Sequence, residues 1–130
     1  ERLIRIRLAD TLRWVISQRL LPKVGGGRVA AMEIMGTNLR VKDCIINGES
    51  EGKTYYEMMQ QAVPFGWTTF DDCILDIYKN GKITEATALA YASKRAVVGR
   101  GLDQLKAARG EKTTDIDGLS IDDDYGKRGH

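Results

Sequence analysis

The stretch that most limits what this chain can fold into is Gln18-Arg19-Leu20-Leu21-Pro22-Lys23-Val24 followed by Gly25-Gly26-Gly27. Proline lacks a backbone N–H and its ring collides with the preceding helical turn, so no helix runs through Pro22. Three consecutive glycines then open positive φ to the backbone. The chain has to break and turn here. Glycine-rich loops also cradle phosphates, when a strand precedes, a helix follows and the backbone N–H groups converge on the anion. The nucleoside-triphosphate version places Lys and then Ser or Thr after its last glycine. Here Gly27 runs into Arg28, Val29 and Ala30, and no later glycine sits at the dinucleotide offset. The flanking runs QRLLPKV and RVAAMEIM are short and apolar, so the glycines predict a β-hairpin turn with strands near Arg19–Leu21 and Arg28–Met35.

A helix before this turn and helices after it complete the predicted pattern. Over residues 3 to 16, Ile4, Leu8, Leu12, Val15 and Ile16 recur at offsets of three and four, with Arg2, Arg5, Arg13 and Asp10 on the exposed side. Beyond Gly36, Asn38 is an N-cap and Gly48 a C-terminal residue for NLRVKDCIING, with Leu39, Cys44 and Ile45 expected to face a core. KTYYEMMQQAV is a second helix of this region, ended by Pro64 and Gly66. TTFDDCILDIYKNG is a third, in which Thr68 and Asp71 resemble a capping box. TEATALAYASK follows, capped by Thr84, and then VVGRGLDQLKAARG, weakened by Gly99 and Gly101. The expected fold is mostly α with a small β-hairpin. From Gly110 onward apolar residues thin out, and residues 110–130 read as a flexible tail.

A length of 130 residues fits one domain or a part of one. The formal net charge of +2 argues neither for nor against nucleic acid. Its distribution is uneven: the first 28 residues carry six Arg and one Lys, and the tail carries Asp115, Asp117, Asp122, Asp123 and Asp124. No apolar run approaches the ~18 residues of a membrane span, and the Arg-rich start lacks the apolar segment of a signal peptide. Cys44 and Cys73 are too few for a zinc site and fall on apolar stripes, as small buried hydrophobes do. The single histidine is His130, so neither metal ligation nor His-based catalysis is expected. The chain opens on Glu1 without an initiator Met, directly in a helical pattern, and reads as a piece of something longer.

Taken in order, LADTLRWVISQRLLPK, GGGRVAAMEIM, EGKTYYEMMQQAVPFGWTTFDDCILDIYKNGKIT and EATALAYAS resemble the C-terminal part of the twitching-motility (pilus-retraction) ATPases of the type II/type IV secretion superfamily. The resemblance runs from about Leu8 to about Ser93. It implies a parent that is a cytoplasmic hexameric motor, peripheral to the inner membrane, with a PAS-like domain, a RecA-like core and a helical C-terminal portion. ATP and magnesium are implied as cofactors of that parent and none for this chain, whose catalytic motifs would lie upstream. The implied partners are the other subunits of a homohexameric ring and the pilus machinery, with no direct nucleic acid. Residues 1–36 would then be the last helix and closing strands of the core, and residues 37–109 the helical C-terminal domain.

The family also carries a motif of the form A-I-R-N-L-I-R-E, needed for retraction rather than simply for ATP hydrolysis. Its counterpart here is Val41, Lys42, Asp43, Cys44, Ile45, Ile46 and Asn47, where Ile46 replaces the second Arg and Asn47 the Glu. The resemblance points to an inter-domain or inter-subunit contact for this helix, and the residues alone to an ordinary amphipathic core helix. Gln18 and Arg19 either contact the core or a neighbouring subunit, or anchor the helix-to-strand junction. The aromatics Tyr55, Tyr56, Phe65, Trp67 and Phe70 surround one loop, as core packing or as a docking patch. Without the family, the Arg-rich first helix leaves a second class open: a stand-alone helical interaction module that binds an acidic partner or nucleic acid.

Overall fold

The computed structural model describes residues 1–110. Beyond Gly110, the tail expected from composition lies outside the described residues. The elements run α1 (Arg2–Thr11), β1 (Val15–Pro22), β2 (Arg28–Met35), α2 (Leu39–Asn47), α3 (Tyr55–Gln61), a 3-10 turn (Val63–Phe65), α4 (Phe70–Lys79), α5 (Glu85–Tyr91) and α6 (Arg95–Ala108). The fold is mostly α with one antiparallel hairpin, as the pattern predicts.

The first helix is shorter than its periodicity suggests. It stops at Thr11, and Val15 and Ile16 belong to β1 rather than to a helical stripe. Leu12 turns extended, and the Thr37 hydroxyl donates to the carbonyls of Leu12 and Arg13 at 2.8 and 3.0 Å, fixing the corner. β-Branched residues beyond that corner gain a full ladder by pairing with β2, which outweighs their helical spacing. The register runs from Val15 opposite Met35 to Pro22 opposite Arg28. β1 is thus longer than Arg19–Leu21, whereas β2 occupies the expected span. Gly25, Gly26 and Gly27 close the loop with φ of 84°, 108° and 76°, conformations that a Cβ would strain. Lys23 N–H donates to Gly27 O at 2.9 Å across it.

Two apolar clusters share the interior. One joins α1, α2 and α3 through Ala9, Val41, Cys44, Ile45, Met58 and Met59, with Met35 and Trp67 at its edge. The other packs the inner hairpin face, Leu21 and Ala31, against Phe70, Ile74, Ile77, Val98 and Leu102 from α4 and α6, with Ile83 and Ala88. The seam between them is a short backbone bridge. Ile34 N–H donates to Thr68 O at 2.9 Å, and Thr68 N–H returns to Ile34 O at 3.0 Å. Gly36 lies against the Trp67 indole here, and a Cβ at this position would sit 2.7 Å from Trp67 Nε1. Only glycine lets the ring approach the backbone so closely.

Capping follows the sequence with one shift. Asn38 accepts from Val41 N–H, and Thr84 from Thr87 N–H. Thr54 and Glu57 form a reciprocal capping box on α3. On α4 the cap is Thr69, which accepts from Asp72 N–H, not Thr68 with Asp71. Thr68 is engaged in the seam bridge, so the helix starts one residue later.

Candidate functional site

The helix that carries the motif-like residues is α2. Val41, Cys44 and Ile45 are buried in the first cluster, and Ile46 packs on its margin. Leu39, expected to face the core, is 84% exposed at the first position of the helix, on the rim of a shallow cleft with Asp43 and Met58. Lys42 is half-buried and Asp43 and Asn47 are exposed. Asn47 Nδ2 donates to Asp43 Oδ1 at 2.8 Å, so the two polar motif positions satisfy each other one turn apart. Ile46 and Asn47 meet Glu1, Arg2 and Arg5 along a shallow cleft between the end of α2 and the start of α1. Burial pushes the Cys44 thiol above its ordinary range, which makes it a packing group rather than a nucleophile. Burial, then the hydrogen bond with Cys44, pushes the neighbouring Tyr55 phenol up to about 12.

Gln18 and Arg19 separate. Adjacent strand residues point to opposite faces. Gln18 is exposed on the outer hairpin face, while Arg19 turns inward and is half-buried. The Arg19 guanidinium stacks 4.0 Å above the Phe70 ring and donates to Tyr91 O at 2.8 Å. It anchors β1 to the start of α4 and the end of α5.

That anchor belongs to a larger node at the α4 N-terminus. Phe70 N–H donates to the Glu33 carboxylate of β2 at 3.2 Å. Asp71 is fully buried. Its carboxylate accepts from Tyr56 Oη at 2.6 Å, from Ser93 N–H at 2.7 Å and from Lys94 N–H at 3.0 Å. Asp71 therefore caps α6 rather than its own helix. The Lys94 ammonium lies 4.1 Å above the Tyr56 ring. Burial, then the bond to Asp71, pushes the Tyr56 phenol well above its usual range. Sequence reasoning missed Glu33, Tyr56 and Asp71 as partners. The available signal was a carboxylate on the apolar side of a helix, one residue after Phe70 and three before Ile74. Of the loop aromatics, Trp67 and Phe70 are buried and Tyr55 and Tyr56 half-buried, whereas Phe65 is 78% exposed.

Among the described residues neither glycine-rich stretch is placed as a phosphate loop. The three glycines turn a hairpin and open no helix. A Gly-Lys-Thr does occur, at Gly52-Lys53-Thr54, but Asn47 stands where a phosphate loop needs its first glycine. Lys53 closes a turn with Ser50, and the Thr54 hydroxyl is committed to capping α3. Among the described residues no group of three acidic, Cys or His side chains is placed to hold a metal ion, and no helix is long and apolar enough to cross a membrane.

No protein-family model matches the chain. Over 86 residues it is 35% identical to the type IV pilus retraction ATPase PilT of Pseudomonas aeruginosa, covering 66% of this chain and 24% of that protein. The type IV pilus ATPase PilU of the same organism is 31% identical over 86 residues, covering 65% of this chain and 22% of PilU. The crystal structure of the pilus retraction motor PilT with bound ADP matches 76% of this chain, at 32% identity and a TM-score of 0.56. In sequence and in fold the chain matches part of a type IV pilus retraction ATPase. It spans about a quarter of the length of the curated relatives that it matches. The likeness in sequence extends over about two thirds of the chain, and the likeness in fold over about three quarters.

Proposed function

We propose that the chain is the C-terminal part of a hexameric ATPase motor that powers type IV pilus retraction, and that it does not itself hydrolyse ATP. In this reading residues 1–36 supply the last helix and closing strands of a RecA-like core, and residues 37–109 form the helical C-terminal domain. The parent works in the cytoplasm against the inner-membrane pilus machinery, as a ring of identical subunits.

The observation that carries the reading is an uncovered apolar surface on α1 and β1. Leu3, Ile4, Leu8, Trp14, Ile16 and Leu20 are between 47% and 70% exposed. Isolated apolar residues on a surface are ordinary, but Leu3, Ile4 and Leu8 together on one helix, and Ile16 and Leu20 on the outer face of one strand, mark surfaces that pack against something. Among the described residues β1 pairs with β2 alone, leaving an edge able to extend a sheet. A covering core would close both. Arg19 and Glu33 would then carry rigid-body displacements of that core into α4 and α5, which is how packed elements transmit domain motion.

The test is ATP hydrolysis with magnesium, measured on the 130-residue chain and on the same chain extended by its upstream coding sequence. Hydrolysis and ring assembly are expected only for the extended protein. Activity in the 130-residue chain, or none in the extended one, overturns the proposal.

A further inference from the structure

The division of the interior into two apolar clusters raises the question of what holds them at a fixed angle. Their cores share no buried residue. Main-chain continuity and the Ile34–Thr68 bridge join them along one line, with the Gly36–Trp67 contact and the burial of Met35, the last β2 residue, in the first cluster beside it. A single line of attachment acts as a hinge, because rotation about it breaks few contacts. The Tyr56–Asp71 pair stands apart from that line, on helices of opposite clusters.

We propose that Tyr56 and Asp71 form a latch that locks the α1–α2–α3 half of the molecule against the hairpin–α4–α6 half. Tyr56 lies on α3 of the first half, and Asp71 on α4 of the second. Their 2.6 Å bond crosses between the two halves, and the Thr69 hydroxyl at the α4 N-cap adjoins the same phenol. Asp71 can hold Tyr56 because the carboxylate is itself fixed by the Ser93 and Lys94 amides, at 2.7 and 3.0 Å. Charge-assisted bonds from three donors orient both carboxylate oxygens. Lys94 adds a second crossing contact by placing its ammonium 4.1 Å over the Tyr56 ring. The latch therefore reads the position of the α5–α6 junction. If Ser93 and Lys94 move away, the carboxylate loses its orientation and the grip on α3 weakens. Displacement at the α5–α6 junction is thereby coupled to the angle between the halves, and so to the orientation of α2.

Two conservative variants separate this role from plain stability. Tyr56→Phe keeps the ring under Lys94 and the Asp71 cap on α6, and removes only the crossing bond. Asp71→Asn weakens both. Residual dipolar couplings of backbone amides report the relative orientation and mobility of two bodies. The wild-type 130-residue chain is expected to fit one alignment tensor across both halves. Tyr56→Phe is expected to need two tensors of different magnitude, with native chemical-shift dispersion kept. Amide exchange at Ser93 and Lys94 should stay at the wild-type rate in Tyr56→Phe and rise on the order of tenfold in Asp71→Asn, as local opening becomes easier. A single tensor in Tyr56→Phe overturns the latch, as do two tensors in the wild type. Loss of the native fold in Tyr56→Phe overturns it too, since the residue would then be supporting the core.

Discussion

Two glycines in α6, two residues apart, should respond in opposite directions to the same substitution. Glycine in a helix interior costs about 0.5–1 kcal/mol relative to alanine, because it loses more backbone freedom on folding. By that rule both Gly99→Ala and Gly101→Ala stabilise the chain. The packing divides them. A Cβ on Gly99 meets only Leu89 Cδ2 at 4.0 Å, an ordinary contact, so the propensity gain is kept. A Cβ on Gly101 falls 2.4, 2.8 and 3.2 Å from Leu75 Cδ1, Cδ2 and Cγ. Leu75, half-buried on α4 and packed against the second cluster, has to change rotamer or push the helices apart. Overpacking of this kind costs about 1–3 kcal/mol. Gly99→Ala is thus expected to stabilise by about 0.5–1 kcal/mol. Gly101→Ala is expected to destabilise by about 1 kcal/mol, the overpacking cost less the propensity gain. The difference of roughly 2 kcal/mol corresponds to a separation in Tm on the order of 10 °C for a chain of this size. Urea and thermal unfolding followed by far-ultraviolet circular dichroism measure both. Adding Leu75→Ala should make Gly101→Ala favourable again, through a coupling term of about 1–3 kcal/mol. Equal stabilisation by the two alanines, or no coupling to Leu75, refutes the reasoning.

The hairpin gives a second contrast. Leu21→Ala, on the fully buried inner face, should cost about 2–5 kcal/mol, whereas Leu20→Lys on the outer face should change stability by less than about 0.5 kcal/mol in the isolated chain, with chemical denaturation as the measure. The Tyr55 phenol titrates at about 12 in the folded chain against 10.0 for the free group. The folded state therefore holds that proton more tightly, and stability is fully present below pH 10 and falls as pH rises through this window. Denaturation midpoints across the window should show the fall, and Tyr55→Phe should lessen it, leaving the part due to the raised Tyr56 phenol.

How much of this was legible beforehand depends on the distance over which each signal acts. The turn at Gly25–Gly27 and the caps at Asn38 and Thr84 rest on residues a few positions apart, and they appear where local chemistry puts them, whereas the Thr54–Glu57 capping box was equally local and went unread. The end of α1 did not. Leu8, Leu12, Val15 and Ile16 carry a helical spacing, but the partners that convert the last two to a strand, Met35 and Ile34, lie twenty and eighteen residues downstream. The cap of α4 moved from Thr68 to Thr69 for a similar reason, since the seam bridge claims Thr68. Of the motif-like helix, its burial pattern was readable from the apolar positions, apart from Leu39. The mutual pairing of Asp43 and Asn47 needed the helix itself.

The sequence by itself determined the break at Pro22, the hairpin turn, the helical remainder and the family likeness, because each depends on residue type and short spacing. Tertiary structure decided which chemistry the polar residues perform. Arg19 and Gln18 are neighbours in the chain yet face opposite sides of a strand, one an anchor and the other solvated. Asp71 has the sequence signature of a first-turn cap and instead grips α3 and the start of α6. A hydrogen-bond partner 22 residues away leaves no periodic trace. It exists only once the helices have packed and excluded water from the carboxylate, whose burial then requires that partner.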